Sequence, residues 1–263
     1  NSNLVYAKKE GSVWETTIID SEGSVGKYPS LTLDNNEMPH ISYKDETNDE
    51  LKYAKYNGSG WEISQIDNNW DTYYNSGDIG ETSIDIDSEN NPHIAYKVRD
   101  GNGIGNWEYF VRYAYYNGTG WELLDVKTQD RTESSWTSYS NTGRDVSISI
   151  NSTDSVFIIY FDDYADDLRV ANITGTSLTT ERVATNAAGL ERSAALTIDS
   201  NDLPTIPSLS PFPSVDSIIF LLQFSHTLIS PSSPVSNLTR IGIVPSSLQP
   251  IPLHFPLTID TND

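Results

Sequence analysis

Short runs of alternating apolar and polar residues recur along the chain, and four kinds of run follow one another in a fixed order. The first reads Ser30-Leu-Thr-Leu-Asp34, then Ser83-Ile-Asp-Ile-Asp87, Ser147-Ile-Ser-Ile-Asn151, Ala195-Leu-Thr-Ile-Asp199 and Pro256-Leu-Thr-Ile-Asp260. The second reads Pro39-His-Ile-Ser-Tyr43 and Pro92-His-Ile-Ala-Tyr96, with Val156-Phe-Ile-Ile-Tyr160 as a looser copy. The third is Leu4-Val-Tyr-Ala7, Leu51-Lys-Tyr-Ala54, Val111-Arg-Tyr-Ala114 and Leu168-Arg-Val-Ala171. The fourth follows a tight turn, as in Gly11-Ser-Val-Trp14, Gly58-Ser-Gly-Trp61 and Gly118-Thr-Gly-Trp121. Period-two alternation of β-branched and aromatic residues over so few positions predicts strands, and no stretch carries a helical period. Asn57-Gly58 and Asn117-Gly118 supply the positive-φ chemistry of tight hairpins.

Four short antiparallel strands repeating every ~50–60 residues lie near the roughly 40–50 of known propeller blades. The expected fold is therefore all-β: an incomplete β-propeller of four-stranded antiparallel blades, about four to five of them present. A stacked β-solenoid, with shorter coils, is the alternative. Well-formed blades are expected at 30–67, 82–126 and 146–184, within a propeller region covering 1–203. The chain opens on third and fourth strands and closes on a first strand at 257–263. It reads as a fragment of a longer ring, poorly stable alone and part of a larger multidomain chain. Between 204 and 256 the pattern breaks: most of the 13 prolines gather there, and Asp216 and Arg240 are its only charges. A blade translated out of frame and a Pro/Ser-rich insertion both account for this segment.

Composition narrows the partners. Against 16 Lys and Arg stand 37 Asp and Glu, a net charge of −21. Nucleic acid and anionic membranes need a basic face, so neither is an expected partner. No apolar run is long enough to insert into a membrane. With no cysteine, disulfides and thiolate chemistry are excluded.

The segments Pro39-His-Ile-Ser-Tyr43, Leu51-Lys-Tyr-Ala54 and Asn57-Gly-Ser-Gly-Trp61 resemble the repeat of microbial β-propeller proteins of the sialidase-like (BNR-repeat) superfamily. The resemblance covers about residues 4 to 203 and is closest to non-catalytic members. The turn at Asn57 occupies the place of the superfamily's Asp-box but lacks its spacing. Sialidases also carry an arginine triad, a tyrosine nucleophile with a glutamate partner, and an early Tyr/Phe-Arg-Ile-Pro segment. That segment is missing here, and Arg112 and Arg169 repeat one strand position, which marks them as parts of the blade. The superfamily's strand order implies that the loops from fourth to first strand, and from second to third, share the ligand-binding face.

Two of those loops match each other as Trp-x-x-Tyr-x-Asn-[Ser/Thr]-Gly, at Trp70 to Gly77 and Trp136 to Gly143. Trp70, Tyr73, Tyr74, Trp136 and Tyr139 are thus the candidate ligand-binding residues, because aromatic planes stack on sugar rings. The same residue types would also serve as wedges between blades. Acidic loops hold Asp162, Asp163, Asp166 and Asp167, a donor set that suits Ca²⁺ as the one metal expected. A solvated charged turn is the plainer reading of the same residues. His40 and His93 share a repeat position, which predicts a structural role such as bonding a turn carbonyl. With every conspicuous residue repeated, the expectation is a binding or adhesion module rather than an enzyme. It would work outside the cell or on a microbial surface, with a glycan or surface polymer as partner. A structural spacer in a large surface protein, or a glycoside hydrolase of sialidase-like fold, are the alternatives.

Overall fold

The computed structural model describes residues 2–68, 78–101, 107–126, 142–162, 165, 167–184 and 195–206. Three four-stranded antiparallel sheets follow one another. The first blade holds β3 (Val25–Leu33), β4 (Pro39–Asp45), β5 (Glu50–Tyr56) and β6 (Trp61–Asp67). The second holds β7 (Asp78–Ile86), β8 (Pro92–Gly101), β9 (Trp107–Tyr116) and β10 (Trp121–Val126). The third holds β11 (Arg144–Ile150), β12 (Val156–Asp162), β13 (Asp167–Thr174) and β14 (Ser177–Ala184). Before them stands a hairpin of β1 (Leu4–Glu10) and β2 (Val13–Asp20), in the third- and fourth-strand positions. After them stands β15 (Thr197–Ile198) paired with β16 (Pro204–Thr205), in the first- and second-strand positions.

First strands pack side by side, β3 beside β7 and β7 beside β11, so they form the innermost layer. They begin at Val25, Asp78 and Arg144, earlier than the alternation predicts. The cause is a bulge in each: the register slips between Lys27 and Ser30, between Ile79 and Thr82, and between Arg144 and Ser147. An extra residue breaks the period of two and hides the strand's start from pattern reading. In the first blade the bulge places Gly26 at φ 83° with Leu4 against it, where an added Cβ would lie 2.8 Å from the Leu4 Cα. Tyr28 and Asp145 sit at one repeat position, with φ 51° and 52°.

Second strands lie between two covered faces, so all of β4 is buried. The apolar layers fill the spaces between successive sheets. Leu51 and Tyr53 of the first blade meet Ile84, Ile94 and Val98 of the second. Ala95, Val111 and Tyr113 of the second meet Ile148, Ile158 and Tyr160 of the third. A fully buried Ile94 contributes about 1.5–3 kcal/mol by leaving water.

The turns between first and second strands repeat one device. Asp34 Oδ1 accepts from the amides of Asn36 and Met38, Asp87 Oδ1 from Glu89 and Asn91, Asn151 Oδ1 from Thr153 and Ser155, and Asp199 Oδ1 from Asn201 and Leu203. The fourth residue of each turn has positive φ: Glu37, Asn90, Asp154 and Asp202. Three of these side chains reach back to the preceding turn. Asn90 Oδ1 accepts from the Asn35 amide, and Asp154 and Asp202 accept from the amides and hydroxyls of Ser88 and Ser152. Further in, the hydroxyls of Ser30, Ser83 and Ser147 accept from the amides of Ile84, Ile148 and Leu196 in the next sheet. The repeated first-strand serines and the acceptors Asn90, Asp154 and Asp202 thus fasten one blade to the next, while the Asx opening each turn holds its own loop.

Candidate functional site

Two buried polar relays recur, and both serve the fold. In the first, Asp34 Oδ2 lies 3.5 Å from His40 Nε2, and His40 Nδ1 lies 2.6 Å from the Tyr53 hydroxyl. The second blade copies it as Asp87, His93 and Tyr113. Each histidine therefore faces a turn carboxylate, hydrogen-bonded to it in the second blade at 3.3 Å, where the sequence suggested a turn carbonyl. In the third blade Asn151, Phe157 and Val170 fill the same places, so all three members change together. An Asp-His-Tyr order resembles a catalytic relay, but His40 is wholly buried and no substrate reaches it.

In the second relay the Tyr43 hydroxyl donates to Asp20 Oδ2 at 2.8 Å, across the junction between opening hairpin and first blade. Lys52 Nζ bridges Asp20 and Asp45 at 3.2 and 2.9 Å. At the next junction Tyr96 donates to Asp67 at 2.7 Å, and Arg112 pairs with Asp67 and Asp125 at 2.9 and 2.7 Å. Arg112 thus joins two blades, while Arg169 at the same repeat position pairs with Asp162 and Asp167 of its own blade.

Arg169 also decides the surroundings of the acidic loop. Asp162 and Asp167 are both buried; Asp162 lies 3.2 Å from Arg169 Nε and accepts from the Thr142 hydroxyl at 2.9 Å. Asp167 lies 2.6 Å from Arg182 Nε and 3.6 Å from Arg169 Nη2. Burial pushes the Asp167 carboxyl above its usual range, in spite of those two arginines. Both charges are met by guanidinium groups, and among the described residues no set of three or more acidic or histidine side chains could hold a metal. Asp163 and Asp166 lie outside the described residues, as do Trp70, Tyr73, Tyr74, Trp136 and Tyr139.

The chain leaves β6 at Asp67 and returns at Asp78 on one end of the blades. At that end, between the first and second blades, opens a cleft of about 100 Å³. Its walls come from the bulged starts of β3 and β7 (Lys27, Tyr28, Asp78, Gly80, Glu81) and from the strand ends at Lys44, Lys97, Arg99 and Tyr109. Tyr28 is 39% exposed, and its positive φ is the strained backbone that often marks binding positions. Lys97 Nζ stands 5.0 Å from the Tyr109 ring centre, and Lys27 Nζ 5.4 Å from that of Tyr28.

The charges in the cleft balance. Lys27 pairs with Glu46 at 2.6 Å, Lys44 with Asp49 at 2.7 Å and also with Asp78, and Lys97 lies 3.9 Å from Glu81. What remains is a dense array of oriented donors and acceptors flanked by two tyrosines. Pattern reading missed this place because it departs from the repeat: Lys27-Tyr28 in one blade is Gly80-Glu81 in the next and Arg144-Asp145 in the third. Residues that change on a repeated scaffold were the available signal.

No known protein family and no curated protein sequence matches the chain. Its likenesses are structural. An α-L-arabinanase of Penicillium chrysogenum, solved with arabinobiose, aligns at a TM-score of 0.50 and 11% identity, over 78% of this chain and 67% of that one. The fold is a β-propeller. A six-bladed fungal lectin, from Aleuria aurantia, aligns at 0.46 and 14% identity over 76% of this chain and 61% of that one. The Hadza microbial sialidase Hz136 aligns at 0.48 and 11% identity, over 66% and 40%. This propeller chain therefore spans about two fifths of the sialidase's length and three fifths of the lectin's. No helix among its described residues is long and apolar enough to cross a membrane.

Proposed function

We propose that this propeller is a glycan-binding module acting outside the cell or on a cell surface, and that it grips sugar at the cleft between its first and second blades. The observation that carries the reading is the pairing of Tyr28 and Tyr109 with charge-balanced donors and acceptors. Sugars present an apolar ring face and a rim of hydroxyls, which match an aromatic plane beside fixed polar groups. Because Lys27, Lys44 and Lys97 already face carboxylates, a neutral sugar is favoured over an anionic one. The volume lies below the roughly 300–1,000 Å³ of drug-sized pockets. A single ring edge fits inside, and a longer glycan lies across the mouth.

A glycan array tests this. Selective binding of neutral glycans, weakened by Tyr28→Ala, supports the reading. Silence across the array favours a spacer role, and turnover of aryl-glycoside substrates by the purified protein would make it an enzyme. Trp70→Ala and Trp136→Ala in the same array ask whether the loop tryptophans extend the site.

A further inference from the structure

We infer that Ser42 and Thr82 form a hydroxyl clamp that positions Tyr28 for its ligand, a device built into the junction of the first and second blades. The inference rests on the reading of the cleft as a sugar site and names what holds its tyrosine in place.

Tyr28 needs holding. Its φ of 51° is left-handed, a conformation that residues other than glycine seldom adopt. Pro29 follows it, and a residue before proline favours extended backbone. Such a conformation persists only where its surroundings impose it. Here the hold comes from the next blade. Thr82 Oγ1 donates to the Tyr28 carbonyl at 2.9 Å, and Ser42 Oγ lies 2.8 Å from Thr82 Oγ1. A carbonyl only accepts, so the single Thr82 hydroxyl proton goes to Tyr28 and Ser42 donates to Thr82. Ser42 is fully buried, which keeps its hydroxyl from bonding water instead.

The repeat shows that the fold has no need of these hydroxyls. At the Thr82 position the first blade carries Pro29 and the third Val146. At the Ser42 position the second blade carries Ala95 and the third Ile159. Between the second and third blades, Ala95 and Val146 thus take the two places and lie within the apolar layer. A polar pair where an apolar pair suffices points to a task beyond packing. It occurs at the junction where the cleft opens, and its last acceptor is the backbone of the exposed cleft tyrosine. A ring whose backbone is fixed beforehand loses less freedom when a ligand stacks on it.

The test pairs Ser42→Ala with Thr82→Val in the full chain, which gives this junction the apolar pair of the next. A 3-fluorotyrosine placed at position 28 reports on the ring by fluorine NMR. The expected result is one sharp line in the parent protein and in Thr82→Ser, which keeps the hydroxyl, and a shifted, broadened line in the double variant. Affinity for a neutral glycan chosen from the array should fall several-fold in the double variant. In a Tyr28→Ala background the same pair should cost nothing further, because the clamp acts only through Tyr28. An unchanged fluorine line, or an equal loss of affinity without Tyr28, would overturn the inference. So would a double variant that does not fold, since the hydroxyls would then serve the fold. The line is read without ligand, so a parent protein that binds no glycan would sink the sugar reading while the clamp stands or falls by fluorine NMR.

Discussion

Asp67 shows how much one side chain can hold. It accepts from the Tyr96 hydroxyl and from Arg112, joining the first and second blades. Asp67→Ala leaves both partners buried without it, and removing one member of a buried ion pair costs about 3–5 kcal/mol. Urea unfolding should show a loss of that order, while an exposed control such as Glu15→Ala should shift little. The histidines make a separate prediction about pH. Burial pushes His40 and His93 below their ordinary value, more strongly than Asp34 and Asp87 raise them. The unfolded chain then binds more protons than the folded one below about pH 6.5. Stability from this source is complete above that pH and falls as pH drops towards the folded values. The carboxyls of Asp34 and Asp87 add acid sensitivity lower down: burial raises them, but turn amides and the histidines outweigh it and hold them below the usual range. Their contribution is present above about pH 4 and fades as pH falls further. Melting temperature should therefore decline in two acid stages, and His40→Phe with His93→Phe should flatten the upper one.

At the scale of the blade, the relays behave as sets. The third blade replaces Asp, His and Tyr by Asn151, Phe157 and Val170, so a version of the set without ionisable groups is tolerated by the fold. His93→Phe alone leaves the Tyr113 hydroxyl buried without its partner, at a cost of about 1–3 kcal/mol. Adding Tyr113→Phe should recover part of that loss, and a double-mutant cycle by chemical denaturation measures the coupling. These strands were legible in the sequence because one residue in two faces a neighbouring sheet. Strand starts were not, because bulges at Tyr28, Gly80 and Asp145 break the period. The Ser and Asx letters were legible as repeated positions. Their partners were not, since Ser88 and Asp154 meet only once two blades are stacked. The cleft escaped for a related reason: its residues come from two blades and follow no repeat.

The whole molecule carries a net charge of −21, so its blades repel one another at long range. Moving from low salt to roughly 0.15 M, where the screening length is about 8 Å, should raise the melting temperature. The buried pairs of Lys52 and Arg112 are poorly screened and should not reverse that trend. Against this acidic background, the cleft between the first and second blades stands out as a charge-balanced place with exposed aromatic surface. Its role is the central claim. The direct measurement is calorimetric titration of a neutral glycan chosen from the array into the full chain and into Tyr28→Ala and Tyr109→Ala. Loss of a stacking ring should weaken binding about tenfold, the equivalent of roughly 1.4 kcal/mol. Unchanged affinity in both variants, or no neutral glycan bound at all, would contradict the assignment of the cleft.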